Sequence, residues 1–465
     1  MENDKFTATA SNMKNDDVEK ASASNIDENT NKANKKMVWT NDEGYYEIDN
    51  EDWEIRNICI DLEGLKESPP HKDQADECCI YRVPNSLRVS NPEAYTPQLI
   101  SIGPFHHDSE RLKAMETLKR RYQGEFLKRN GMDEKKIMDF LRRIQKEEES
   151  IQRCYSESFS IHTERFVKMI VLDAVFIIEF LKESCAAHHF PKNIDARMRF
   201  CIGEDLMLLE NQLPLFIIDL IYSEFYHHSQ DENETPLLDL ATGHFGKYPL
   251  AQGPESICTT DKVQHFTDLL MKSMLKGALK RENRPDPIKL KYNAAMLRKA
   301  GVEFKKTEDK CLFNVHFEKG VLKIPILKVD DSLERLVRNV MAWEQCSKPD
   351  EAYISNYFKF MDHLIDRAED VALLAEEGII MNWLGDDAAV SKLMNNLSQR
   401  SETASYYSDM CQKMNEYYEN PWNRRKATLK LVYFSNLWRG TGTFAAAFLL
   451  ILTLLQTITS LKSSF

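Results

Sequence analysis

Positive charge is in deficit in this chain of 465 residues: 61 Lys and Arg stand against 73 Asp and Glu, a formal net charge of −12. General affinity for nucleic acid needs clustered cations that release counterions from phosphate, and a pI near 5.6 opposes it. No C-x-x-C pair occurs among the ten cysteines, which are Cys59, Cys78, Cys79, Cys154, Cys185, Cys201, Cys258, Cys311, Cys346 and Cys411. Neither a zinc site nor a redox motif is therefore indicated, and the scatter reads as reduced, mostly buried thiols. The amino terminus, MENDKFTATA, lacks the basic patch and apolar core of a signal peptide. Also absent are the G-x-S-x-G elbow, the phosphate-binding G-x-x-x-x-G-K-[ST], G-x-G-x-x-G and H-E-x-x-H. Gly440-Thr441-Gly442 has no strand context for a nucleotide loop. No catalytic set, cofactor or metal is expected. A mean hydropathy of −0.49 further excludes a multi-span membrane protein, so any membrane segment must be local.

What is present divides into three parts. Residues 1–77 are rich in Asn, Asp, Glu, Ser and Lys and read as a disordered acidic arm, interrupted by the aromatic stretch YYEIDNEDWEIRNICIDLEGL. Residues 78–438 read as a large, mostly helical body. Its opening run holds Pro84, Pro92, Pro97 and Pro104, which fix φ and keep their neighbours out of helix, so an extended, folded-back segment is predicted. Helical spacing then places Leu112, Met115, Leu118 and Tyr122 on one stripe, and a charged helix follows from about Asp133 to Ser150. RFVKMIVLDAVFIIEFLKE is apolar nearly all round, yet too short and too interrupted by charge to cross a bilayer, which predicts a central buried helix carrying Asp173 and Glu179.

In GEDLMLLENQLPLFIIDLIY a helix with Leu206, Leu209 and Leu213 on one face is expected to end at Pro214, with Glu210, Asn211 and Gln212 at the junction. Gly and Pro between Asp231 and Thr260 suggest a long loop, followed by a helix from Lys262 to Arg281. CLFNVHFEKGVLKIPILKVD alternates around Glu318-Lys319-Gly320, a short antiparallel hairpin. Helical patterns then continue almost without break to Asn436.

The third part is RGTGTFAAAFLLILTLLQTITSLKSSF. Thr443 to Leu461 covers about 28 Å as a helix without a charge, near the hydrocarbon thickness of a bilayer. Phe444, Phe448, Leu449, Leu450, Ile451, Leu452, Leu454, Leu455, Ile458 and Leu461 favour insertion by roughly 3 to 6 kcal/mol. Residues 443–461 are thus expected to form one transmembrane helix. Arg424, Arg425, Lys426, Lys430 and Arg439 precede it and only Lys462 follows, which predicts a cytosolic body and insertion after synthesis. Trp422, Tyr433, Phe434 and Trp438 are candidate interfacial aromatics. Asn233 and Asn396 lie in glycosylation triplets that matter only if the body faces a lumen.

Chemistry is weakly signalled. The pairs His106-His107, His188-His189 and His227-His228 are adjacent residues that point apart, so none is a metal clamp alone. Asp173 and Glu179 must find partners or shift their pKa, and an ion pair with Arg88 or Arg121 is weighed against acid/base catalysis. Glu210, Asn211 and Gln212 either bond loop backbone near Pro214 or line a polar pocket.

The blocks IYRVPNSLR, AYTPQLISIGPFHH, MIVLDAVFIIEF, DLMLLENQLPLFIIDLIY, LRKAGVEFK, VRNVMAWEQC, YISNYFKFMDHLI, EDVALLAEEGIIMNWLG and PWNRRKATLKLVYFSNLW occur in one order. In this the chain resembles a plant-specific family, domain of unknown function 247, also called uncharacterised protein family 0481. The resemblance covers Cys79 to Leu461, with Asp108 in place of a usual Gly and Ala174-Val175 in place of Gly-Cys. Its motif positions here are Pro84, Gly103, Pro104, Phe105, His106, Asp173, Glu179, Glu210, Asn211, Gln212, Pro214, Glu344, Gln345, Trp383 and Trp422. The resemblance implies no reaction or cofactor; it implies a C-terminal membrane helix and, from members resembling grass self-incompatibility determinants, a role in recognition. The expected function is a membrane-anchored, non-enzymatic protein that binds a protein partner or a second copy of itself. The alternative is a hydrolase or transferase using Asp173, Glu179, Asp205 and Glu210; sealing and pairing of these carboxylates would favour binding.

Overall fold

The computed structural model describes residues 36–38, 46–48, 78–185, 194–226, 235–248, 250, 262–280, 288–398, 406–429 and 437–463. Within the first 72 residues, a unit by itself, two strands are described, β1 (Lys36–Val38) and β2 (Tyr46–Ile48), paired antiparallel. The rest of the predicted arm lies outside the described residues, as do His188-His189, His227-His228, Asn233, Cys59, Cys258, Tyr433 and Phe434.

The body is mainly α. Its first half holds α1 (Asn85–Arg88), α2 (Lys113–Arg129), α3 (Glu134–Lys146), α4 (Glu148–Arg153), α5 (Thr163–Cys185), α6 (Ala196–Asp205), α7 (Leu215–Tyr226) and α8 (Leu237–Phe245). Then follow α9 (Phe266–Leu275), α10 (Ala294–Lys299), β3 (Glu303–Thr307), β4 (His316–Glu318), β5 (Val321–Pro325) and β6 (Leu327–Val329). The second half continues with α11 (Leu333–Ser347), α12 (Tyr353–Leu364), α13 (Ala368–Glu376), β7 (Ile380–Asn382), α14 (Asp387–Leu397), α15 (Ser408–Glu419), α16 (Pro421–Thr428) and α17 (Leu437–Ser463).

Two helices organise this body. α5 buries Phe166, Ile170, Val175, Phe176, Ile177 and Phe180, as its nearly all-round apolar sequence predicts, and packs against α2, α3, α7 and α8. α11 does the same for the second half, against α9, α12, α14 and the 3-10 turn Pro92–Tyr95. One apolar cluster runs through both halves.

The predicted hairpin is present as β4 and β5, with Lys319 (φ 52°) and Gly320 (φ 80°) both left-handed, the two-residue turn that matches strand twist. Four details differ from the sequence reading. β5 also pairs in parallel with β3, and β6 in parallel with β7; long-range parallel partners leave no local turn signal. The helix before Pro214 ends at Asp205, not at the proline, because the side chains of Asn211 and Gln212 take the carbonyls of Asp205, Leu206 and Leu208. The stretch read as a loop from Asp231 contains α8, whose Leu237, Leu240, Ala241 and Phe245 are buried. Finally, the helix expected from Lys262 begins at Phe266, where His265 caps it.

Candidate functional site

The extended segment from Cys78 to His107 has almost no ladder of its own, so its amide groups need partners elsewhere. Carboxylates and amides from the C-terminal end of α6 and the turn after it supply them. Asp205 accepts from the N–H groups of Gln98 (2.9 Å), Leu99 (2.7 Å) and Ile100 (2.9 Å) and from the Arg335 guanidinium (2.7 Å). Asn211 accepts from Ile102 N–H and donates to Ile100 O and Asp205 O. Glu210 accepts from Val83 N–H (2.7 Å) and pairs with Arg88, with Arg82 and His106 beside it. Burial acts to raise the Glu210 carboxyl, but His106, Arg88 and Val83 N–H outweigh it and hold it below its usual value.

Gln212 reaches the other way, accepting from Phe266 N–H at the start of α9. Asn339 on α11 ties Leu209 N–H to Ala94 O. Gly103 (φ 71°) passes so close to Gln212 O that a Cβ there would lie 2.5 Å from it. Pro104 follows it, and Phe105 packs edge-on against Tyr155 and Phe159 beneath Arg82.

Asp173 accepts from Gly103 N–H (2.9 Å) and from Lys119 Nζ (2.6 Å), and Lys119 also holds Ser101 O. The partner is therefore Lys119, not Arg88 or Arg121. Lys119 is wholly buried and lies on the stripe Met115, Lys119, Tyr122, Phe126; a lysine at helical spacing among apolar residues is the signal that the reading through Leu118 missed. Burial pushes the Asp173 carboxyl up against the pull of Lys119. Glu179 pairs with Arg129 and accepts from Tyr226 Oη (2.7 Å). Asp173, Glu179, Asp205 and Glu210 are thus all buried and each meets a cation.

The remaining motif positions are spread over the body. Glu344 accepts from Ile354 N–H, Ser355 N–H and Ser355 Oγ at the start of α12, and desolvation pushes its carboxyl up to about 7. Gln345 is half-buried beside Ser355, Pro84 precedes α1, and Pro214 precedes α7. Trp383 (71% exposed) and Trp422 (74%) stand in solvent.

The cleft lies elsewhere. α2, α3 and α5 enclose about 1160 Å³ with a largely apolar floor that includes Leu127, Phe140, Leu141, Met169 and Leu172. Its rim carries Glu116, Arg120, His162, Glu164, Arg165 and Lys168. None of the four buried carboxylates lines it; Glu116, paired with Lys119 at 2.6 Å, joins the rim to the buried network. The chemistry offered is apolar contact inside a mixed-charge border.

α17 also stands apart from the core. Within its 22-residue stretch Thr441–Lys462 an 18-residue window reaches a mean hydropathy of 2.0, and no side chain of the stretch is buried, with Phe444, Leu449, Leu450 and Leu454 more than half exposed.

The family model described as DUF247, plant protein of unknown function, matches residues 80–452. A UPF0481 protein of Arabidopsis thaliana is 26% identical over 425 residues, covering 83% of this chain and 87% of its own. A second UPF0481 protein of that plant is 24% identical over 537 residues, covering 93% of this chain and 98% of its own. No solved structure matches.

Proposed function

Because the chain belongs to the DUF247 family of plant proteins, we propose that it is a single-pass, membrane-anchored recognition protein whose cytosolic helical body binds an amphipathic helix of a partner protein. The observation that carries the anchor is the Thr441–Lys462 stretch of α17: a largely apolar helix, with Thr453, Gln456, Thr457 and Ser460 its polar side, and with no side chain buried against the body, has hydrocarbon as its natural surrounding. Thr441–Lys462 rises about 33 Å at 1.5 Å per residue, enough for one crossing. Arg424, Arg425, Lys426 and Arg439 before it, against Lys462 after it, favour a cytosolic body. A glycosylation acceptor appended after Phe465 is expected to be modified in microsomes while Asn233 and Asn396 are not, with the chain resisting alkaline extraction. Glycans on Asn233 or Asn396 and none at the tail would place the body in the lumen and refute this topology.

Recognition is supported by the cleft of α2, α3 and α5, whose apolar floor and charged rim suit the helix-in-groove mode. The pairing of Asp173, Glu179, Asp205 and Glu210 with cations supports binding over chemistry at those groups. Leu127→Glu and Leu172→Glu, both at half-buried positions on the cleft wall, are expected to remove the proteins that co-purify with the wild-type chain from plant membranes, at a stability cost of about 1 to 2 kcal/mol. An unchanged set of co-purifying proteins would move recognition to another surface.

A further inference from the structure

α16 is the last helix of the body before the apolar tail, and its two faces differ. Asn423 and Ala427, one turn apart, face the body: Asn423 Nδ2 donates to Tyr417 O (3.0 Å), and Ala427 is buried against Gly301, where a Cβ would come within 3.0 Å of Ala427 Cβ. Pro421 at the first helical position and Asn420, whose side chain accepts from Trp422 N–H, fix its start. The helix is therefore seated on α10 and α15 and has a set direction relative to the body.

Everything on the other face is exposed. Trp422 (74%) and Leu429 (49%) bracket Arg425 and Lys426, with Arg425 5.7 Å from the Trp422 ring and Arg424 5.5 Å from the Tyr418 ring. Among the described residues no carboxylate pairs with Arg424, Arg425 or Lys426. No Asp or Glu occurs from Asn420 to Phe465, while Lys430 and Arg439 add two further cations. The twelve residues from Leu429 to Gly440 span at most about 40 Å even when extended, so α16 stays within reach of any bilayer that holds the tail.

We propose that this face of α16 docks on anionic phospholipid headgroups of the bilayer in which α17 sits, holding the body in one orientation at the membrane surface. The inference rests on the anchored reading above. Trp422 and Leu429 enter the headgroup boundary as an indole and an aliphatic group do at membrane interfaces, and the guanidinium groups, left without protein anions, take the lipid phosphates and carboxylates. A bare tether needs neither an exposed tryptophan nor a seated helix.

The test uses the full chain reconstituted into phosphatidylcholine vesicles with and without phosphatidylserine, following amide hydrogen exchange over residues 424–429. Phosphatidylserine is expected to slow exchange about fivefold for each cation engaged. Arg424→Gln with Arg425→Gln should remove most of that slowing, as should high salt. Equal exchange in the two vesicle types overturns the proposal, and so does the same slowing on neutral vesicles after adding single-stranded RNA. Slowing by phosphatidylserine in a chain that an alkaline wash strips from the vesicles keeps the surface and refutes the anchor. A wash-resistant chain without the slowing keeps the anchor and refutes the surface.

Discussion

Asp205→Ala is expected to destabilise the body by about 3 to 5 kcal/mol, read as the shift in chemical denaturation of the detergent-solubilised chain. The alanine leaves three N–H groups without their acceptor, those of Gln98 and Leu99 part-buried and that of Ile100 buried. It also strips Arg335 of its nearest anion, leaving Thr96 O at 2.8 Å and Glu204 at 3.6 Å. Water cannot replace these partners without opening the contact between the extended segment and α11. Asp205→Asn keeps one acceptor and a similar shape, so a smaller loss of about 2 kcal/mol is expected. Limited proteolysis should then cut first between Thr96 and Ser101 in both variants. A shift below about 1 kcal/mol for the alanine variant would show that packing alone holds the segment.

Stability is expected to fall in acid through His265, with a sign that follows from its hydrogen bonds. Its Nε2 donates to Cys79 O (2.9 Å) and its Nδ1 accepts from Asp268 N–H (3.3 Å), so the neutral ring has both nitrogens satisfied. A second proton would point at an N–H group. Desolvation lowers the group from 6.5 to about 4, so the unfolded chain takes up the proton first as pH falls. The contribution is complete above about pH 6.5 and lost on going down to about 4, close to 3 kcal/mol in all. His244, lowered to about 3, and His363, lowered to about 4, act in the same direction. Glu204 and Glu344, both raised to about 7, act in the opposite one, because their folded forms hold a proton that the unfolded chain has released. The difference between parent and His265→Asn isolates the histidine, since asparagine also caps helices without titrating. The acid slope should flatten in the variant; parallel slopes would assign the acid sensitivity to the other groups.

The family positions gain a common explanation from these contacts. Asp173, Glu210 and Asn211, joined by Asp205, occupy amide groups of a segment that prolines keep from forming its own regular structure, while Gln212 holds the first amide of α9. Glu344 does the same for the first turn of α12. Their chemistry is acceptance of backbone hydrogen bonds, which needs those side-chain types at those places without requiring a substrate.

Local patterns made several features legible from the sequence alone. A run apolar nearly all round announced α5, alternation with Lys319-Gly320 announced β4 and β5, proline spacing announced the extended segment, and a charge-free stretch announced α17. Each depends on residues a few positions apart, where periodicity and φ restriction act directly. Tertiary structure decided the rest. Lys119 rather than Arg88 answers Asp173, Arg335 reaches Asp205 across 130 positions, and parallel strands pair β3 with β5 and β6 with β7. The cleft exists only because α2, α3 and α5 converge. A buried charge or an amide must find some partner, and sequence states that need; which group meets it is set by the packing of distant helices, where burial energy outweighs any local preference.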